Sequence, residues 1–85
     1  MDRATDLCEI AQENGFKWGF YCGDLYLFPE TEAQKKAVVD YARLTKQLVL
    51  CGCFDNAFFV GNVLDYNPKY HRIVFKPKGN KVKKR

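Results

Sequence analysis

The segment Thr31 to Lys46, TEAQKKAVVDYARLTK, is the longest stretch of this chain with one uniform period. Val38, Tyr41, Leu44 and Thr45 recur at helical spacing, with Ala37 beside them and Leu48 continuing the stripe. Pro29 interrupts what precedes. Thr31 and Gln34 stand in the T-x-x-Q spacing of a capping box, in which each side chain satisfies an orphan backbone N–H of the other. Glu30 and Glu32 place negative charge at the positive end of the helix dipole, and Lys46 places positive charge at the other end. The pattern predicts a helix with a buried Val38, Tyr41, Leu44 face, on which the rest of the chain packs.

On the N-terminal side, FKWGFYCGDLYLF (16–28) reads as a hairpin. Phe16, Trp18, Phe20 and Cys22 alternate with Lys17, Gly19 and Tyr21, the period of a strand. Gly23-Asp24 suits a two-residue turn with glycine first. Leu25 and Leu27 then face one way, Tyr26 and Phe28 the other. Before the hairpin, Ala4, Leu7, Cys8 and Ala11 make a narrow helical stripe over 4–14, with Ile10 at its edge and Asp2 or Thr5 as cap. Asn14-Gly15-Phe16 reads as a Schellman ending, with Phe16 folded back on Ala11.

On the C-terminal side, LVLCGCF (48–54) reads as a buried strand. Asp55-Asn56 is a turn into a strand, AFFVGNVLDY, or the cap of a short helix; Phe58, Phe59, Val60 and Gly61 favour strand. Asn67-Pro68 marks a turn, and YHRIVF (70–75) a last strand. The order α-β-β-α-β-β-β implies one α+β domain over residues 1–75, with two helices on one face of a mostly antiparallel sheet. Residues 76–85, KPKGNKVKKR, hold one apolar side chain, Val82, too little to offset the entropy of ordering, and read as a flexible basic arm.

Eighty-five residues, 47% hydrophobic with thirteen aromatics, suffice for one small two-layer core. No apolar run reaches membrane-span length, and MDRATDLCEI has neither the basic nor the apolar region of a signal peptide, so the expected location is cytoplasmic. In that compartment Cys8, Cys22, Cys51 and Cys53 are expected as thiols. The net charge of +4 is unevenly spread: residues 1–75 carry −2 and residues 76–85 carry +6. A basic face over the body is therefore not expected.

The arm residues Lys76, Lys78, Lys81, Lys83, Lys84 and Arg85 are candidates for phosphate contact, or simply a solubilising tail. Phe16, Trp18 and Phe20 form either a platform for unpaired bases or the core face under the helices; small domains place their large aromatics inside, which favours the core. Lys17, Trp18, Tyr21 and Tyr26 complete the candidate nucleic-acid set. The run Lys17-Trp18-Gly19-Phe20-Tyr21 resembles the aromatic-Gly-aromatic centre of the RNP1 motif of RNA-recognition and cold-shock domains. The resemblance spans five residues, and the leading helix and the element order depart from both families. Asp24-Leu25, Gln34 and the strand Leu48 to Cys51 resemble the later half of small virus-type PD-(D/E)xK nucleases. No E-x-K strand fits between Phe28 and Thr31, so the metal-holding half is missing and no activity follows. Asp24, Glu30 and Glu32 are then a turn residue and helix-start charges.

Cys51-Gly52-Cys53 puts two thiols on one strand face, yet lacks the C-x2-4-C spacing of zinc sites; a metal would further need Cys8, Cys22 or His71 nearby. Neither metal nor cofactor is expected. His71, beside Arg72, reads as a surface residue. The chain contains no serine, which rules out a Ser-His-Asp hydrolase. The composite expectation is a non-enzymatic nucleic-acid-binding accessory protein. The alternative is a protein-interaction module, such as a small virus-encoded inhibitor or adaptor, supported by the acidic, aromatic-rich body. Oligomeric state stays open.

Overall fold

The computed structural model describes residues 3–52 and 56–78. The chain forms α1 (Arg3–Asn14), β1 (Lys17–Tyr21), β2 (Asp24–Phe28), α2 (Glu32–Thr45), β3 (Leu48–Cys51), β4 (Phe59–Gly61), a 3-10 turn at Val63–Asp65 and β5 (Arg72–Phe75). This is the expected α+β order, with every strand pairing antiparallel. Backbone hydrogen-bond ladders group the strands as β1-β2 and β4-β3-β5. A reciprocal backbone pair joins the two groups: Leu27 N–H donates to the Phe58 carbonyl at 2.8 Å, and Phe58 N–H to the Leu27 carbonyl at 2.7 Å. The spatial order is thus β1-β2-β4-β3-β5. Strands β2 and β3 run the same way on either side of β4, and α2 is the crossover between them.

Helix α2 starts as its sequence dictates. Thr31 accepts from Gln34 N–H at 3.1 Å, and the Gln34 side-chain oxygen accepts from Thr31 N–H at 3.0 Å and Glu30 N–H at 2.7 Å. Gln34 Nε2 also donates to the Asn14 carbonyl at 3.0 Å, binding the end of α1 to the start of α2. Helix α1 closes as expected, with Gly15 at φ 78° and Phe16 N–H bonded to the Ala11 carbonyl at 3.0 Å. Helix α2 ends in the same manner around Lys46, at φ 58°, with Gln47 N–H on the Ala42 carbonyl.

The centre of the sheet is buried on both faces. Leu7, Ala11, Phe16, Leu25, Leu27, Val38, Ala42, Val49 and Val60 form the core under the helices. Tyr26, Leu48, Leu50, Ala57 and Phe59 form a second cluster on the opposite face, flanked by Phe28, Val63, Tyr66 and Ile73. Since β4 and β5 lie on either side of β3, the segment 62–71 must cross β3. Its Val63 and Tyr66 place that crossing on the face away from the helices. Double coverage is why β3 is an unbroken apolar run with all four residues buried.

Three local expectations are corrected and one ambiguity is resolved. Leu44 is 82% exposed, whereas Val38 and Ala42 are fully buried. At 3.6 residues per turn, Leu44 lies about 120° around the helix from Val38, while Ala42 lies about 40° away. The small Ala42, not Leu44, meets the core because α2 packs closely there. The hairpin turn is Cys22-Gly23, with φ 55° and 83°, one residue earlier than Gly23-Asp24. Positive φ at both central residues is the type I′ geometry that matches strand twist. The strand-or-helix ambiguity after Asn56 resolves as the favoured strand, with Phe59 and Val60 in β4; β4 stops at Gly61, and Asp65 accepts from Asn62 N–H at 2.8 Å to start a separate 3-10 turn. The last strand is also shorter than 70–75, because Tyr70 and His71 N–H groups bond the Asn67 carbonyl in the preceding turn. The segment Cys53 to Asp55 lies outside the described residues.

Candidate interaction surface

Strand β1 forms one border of the sheet and, among the described residues, pairs only with β2. Its register places Trp18 opposite Leu27 and Phe20 opposite Leu25, so both aromatics lie on the helix-covered face. The helices do not extend that far: Trp18 is 36% exposed and Phe20 is 60% exposed. The stripe Phe16, Trp18, Phe20 therefore divides, with Phe16 in the core and the other two at its margin.

On the other face, Gly19 is opposite Tyr26. A Cβ at Gly19 would meet Tyr21 Cε2 at 2.9 Å. The absent side chain lets the Tyr21 ring fold across the strand to Tyr26 and Phe28, with centroids 6.1 and 6.2 Å away. This aromatic series continues from Tyr26 to Phe59 at 5.7 Å, and from Phe59 to His71 at 5.9 Å. The aromatic-Gly-aromatic run thus has a packing cause within the hairpin. Tyr26 itself is only 3% exposed, which corrects its place as a stacking residue: the 62–71 crossing and Phe59 cover it. Tyr21 keeps 44% exposure but is held in this series.

Lys17 is exposed at the start of β1 and borders an open cleft of about 610 Å³ with Phe28, Pro29, Lys35 and Phe58. Glu30 also lines it, so the two lysines do not make a purely basic pocket. Lys76 and Lys78 are exposed at the end of β5, around a buried Pro77. Four strand spacings separate that border from β1, about 19 Å across the sheet. The strand directions also put Lys17 and Lys76 at opposite ends of it. Candidate aromatics and candidate basic residues are therefore not brought together. Lys81, Lys83, Lys84 and Arg85 lie outside the described residues.

The two borders of the sheet differ in protection. On β5 the pairing with β3 is broken by a register shift between Val49 and Leu50, Arg72 is exposed at the first position, and exposed Lys76 follows the last. On β1 the pairing with β2 is regular through five residues, and Lys17 at its first position is the lone charge. Trp18 and Phe20 supply exposed apolar surface along it. Phe20 was legible in the alternation, but that it sits on a border strand was not.

The remaining candidates are dispersed. Asp24 closes the hairpin turn, Glu30 N–H is bonded to Gln34, and Glu32 lies 3.8 Å from Lys35. Cys8 is half-buried on α1, Cys22 exposed in the turn and Cys51 buried on β3. His71 is half-buried rather than a surface residue; its Nδ1 accepts from Asn67 N–H at 3.0 Å and its ring lies over Phe59. Among the described residues, no three of His, Cys, Asp or Glu gather in a metal-holding group, and no helix is long and apolar enough to cross a membrane. Comparison with protein-family models, curated proteins and solved structures gave no match.

Proposed function

We propose that this protein is a non-enzymatic protein-interaction module that receives an extended segment of its partner along β1. The observation that carries the reading is the asymmetry of the two sheet borders: the pairing of β5 is interrupted by a register shift, whereas that of β1 is regular and flanked by exposed Trp18 and Phe20. Backbone groups along such an edge bond an added strand, and the two aromatics supply apolar contact beside it. An acidic body agrees with a protein partner better than with a polyanion.

The test is a lysate pull-down with wild type and Phe20→Asp, each with and without nuclease. Expected is a captured protein that survives nuclease and is lost with Phe20→Asp, while the circular dichroism of the variant stays native. Capture that vanishes on nuclease treatment overturns the reading. A second reading, nucleic-acid contact through the C-terminal arm, is favoured by one observation: exposed Lys76 and Lys78 flank a buried Pro77 that fixes the start of the basic run to the sheet.

A further inference from the structure

The edge reading leaves the partner unnamed, and resting on that reading we infer that the partner strand is β1 of a second copy of this chain. The hairpin fixes which backbone groups are on offer. In a two-residue turn the carbonyl of the first residue bonds the N–H of the fourth, so Tyr21 and Asp24 are a hydrogen-bonded pair. Bonded and non-bonded pairs alternate along an antiparallel ladder. The N–H and C=O of Trp18 and Phe20 therefore point away from β2, toward the open border.

Two copies of β1 related by a two-fold axis at Gly19 set Trp18 of each opposite Phe20 of the other. Those residues exchange four backbone hydrogen bonds, and all five residues of Lys17–Tyr21 are used. The side chains suit this register. Trp18 and Phe20 of opposite copies become direct cross-strand aromatic neighbours on the helix-covered face. On the other face Lys17 stands opposite Tyr21 of the other copy, whose ring is folded over Gly19 toward Tyr26, and the two lysines stand at opposite ends of the paired strands. Gly19 meets Gly19 at the axis, with the Tyr21 ring of each copy lying over its own glycine on the face away from the helices. A shift by two residues in either direction shortens the overlap of β1 to about three residues and leaves one facing aromatic pair within it, Trp18 on Trp18 or Phe20 on Phe20, in place of two.

The area sets the strength. The exposed parts of Trp18, Phe20 and Tyr21, backbone included, amount to at most about 350 Å² per copy, against about 800 Å² in a standard interface. A weak, reversible dimer is expected. The ten strands of two copies would form one continuous antiparallel sheet, with β5 as its outer border on both sides.

The test is sedimentation equilibrium of the full chain from about 5 µM to 1 mM, with amide hydrogen exchange at both ends of that range. Expected is a monomer–dimer equilibrium in which the Trp18 and Phe20 amides slow at least tenfold at high concentration. The single tryptophan, Trp18, should shift its emission to the blue over the same range. Phe20→Glu should weaken dimerisation at least tenfold, whereas Leu44→Glu, exposed on α2, should leave it unchanged. A monomer throughout overturns self-pairing, as does a dimer whose Trp18 and Phe20 amides stay fast. In either case loss of pull-down capture by Phe20→Asp would still uphold β1 as the docking edge for a different protein, which separates the two failures.

Discussion

Gln34 shows how much one side chain does in a domain of this size. Its oxygen accepts from two N–H groups at the start of α2, while its nitrogen donates to the Asn14 carbonyl at the end of α1. Gln34→Ala removes all three bonds and should cost about 1–2 kcal/mol. Gln34→Glu keeps the two acceptor bonds and loses only the inter-helix one, so it should fall between alanine and wild type in urea denaturation. Equal losses for the two variants would mean that the Asn14 bond carries the effect. At the hairpin, Cys22 occupies a left-handed conformation that asparagine tolerates better. Cys22→Asn should therefore raise stability by about 0.5 kcal/mol, seen as a higher denaturant midpoint at unchanged slope. Gly19→Ala should act through Tyr21, because the added Cβ and that ring compete for one place. In a double-mutant cycle Gly19→Ala and Tyr21→Ala should be non-additive, with most of the glycine effect gone once the ring is removed.

Helix α2 separates the residues that hold the fold from those that decorate it. Val38→Ala leaves a void in the main core and should cost on the order of 2–4 kcal/mol. Leu44→Ala, at an exposed position, should stay within about 0.5 kcal/mol. Comparable losses at both positions would contradict the orientation of the helix. On its outer surface Asp40 bonds Lys36 at 2.8 Å and Arg43 at 2.9 Å. The hydrogen bond from Lys36 is the main reason its carboxyl is held below the usual value of 3.8. A lowered folded-state pKa stabilises above the unfolded value and is lost as pH falls through the folded one. Asp40→Asn should accordingly lower stability slightly at about pH 6, with the difference from wild type closing under acid and shrinking in salt.

At the level of the whole molecule, the hairpin and the three-stranded sheet share one core but are joined in the sheet by the Leu27–Phe58 pair. Because Leu27 is fully buried between α1, α2 and β4, its amide should exchange hydrogen only with global unfolding. Exchange of Leu27 well ahead of Val49 would show that the hairpin opens separately. The basic run belongs to this scale too, since its charge opposes that of the body. If the arm contacts single-stranded nucleic acid through Lys81, Lys83, Lys84 and Arg85, log K should fall against log salt with a slope of roughly −3. Truncation after Lys78 should remove most of that slope in fluorescence anisotropy, and an unchanged slope would place the contacts on the body.

Everything readable along the chain alone is local. The T-x-x-Q box, the Gly15 stop, the alternation of 16–28 and the apolar run from Leu48 each depend on residues within a few positions of one another, and each is found in the fold. Periodicity also named Val38 as core. It misjudged Leu44, because a residue's angle around a helix does not reveal how wide a stripe its neighbours cover. The burial of Tyr26 had no local signal, since its cover comes from Phe59 and the 62–71 crossing, more than thirty residues away. The same holds for the candidate surface. That β1 is a border and β3 a centre, and that Lys76 lies across the sheet from Trp18, follows from the pairing of distant strands through the two bonds between Leu27 and Phe58. Alternation assigns side chains to faces, but it contains no term for which strand is left without a second neighbour.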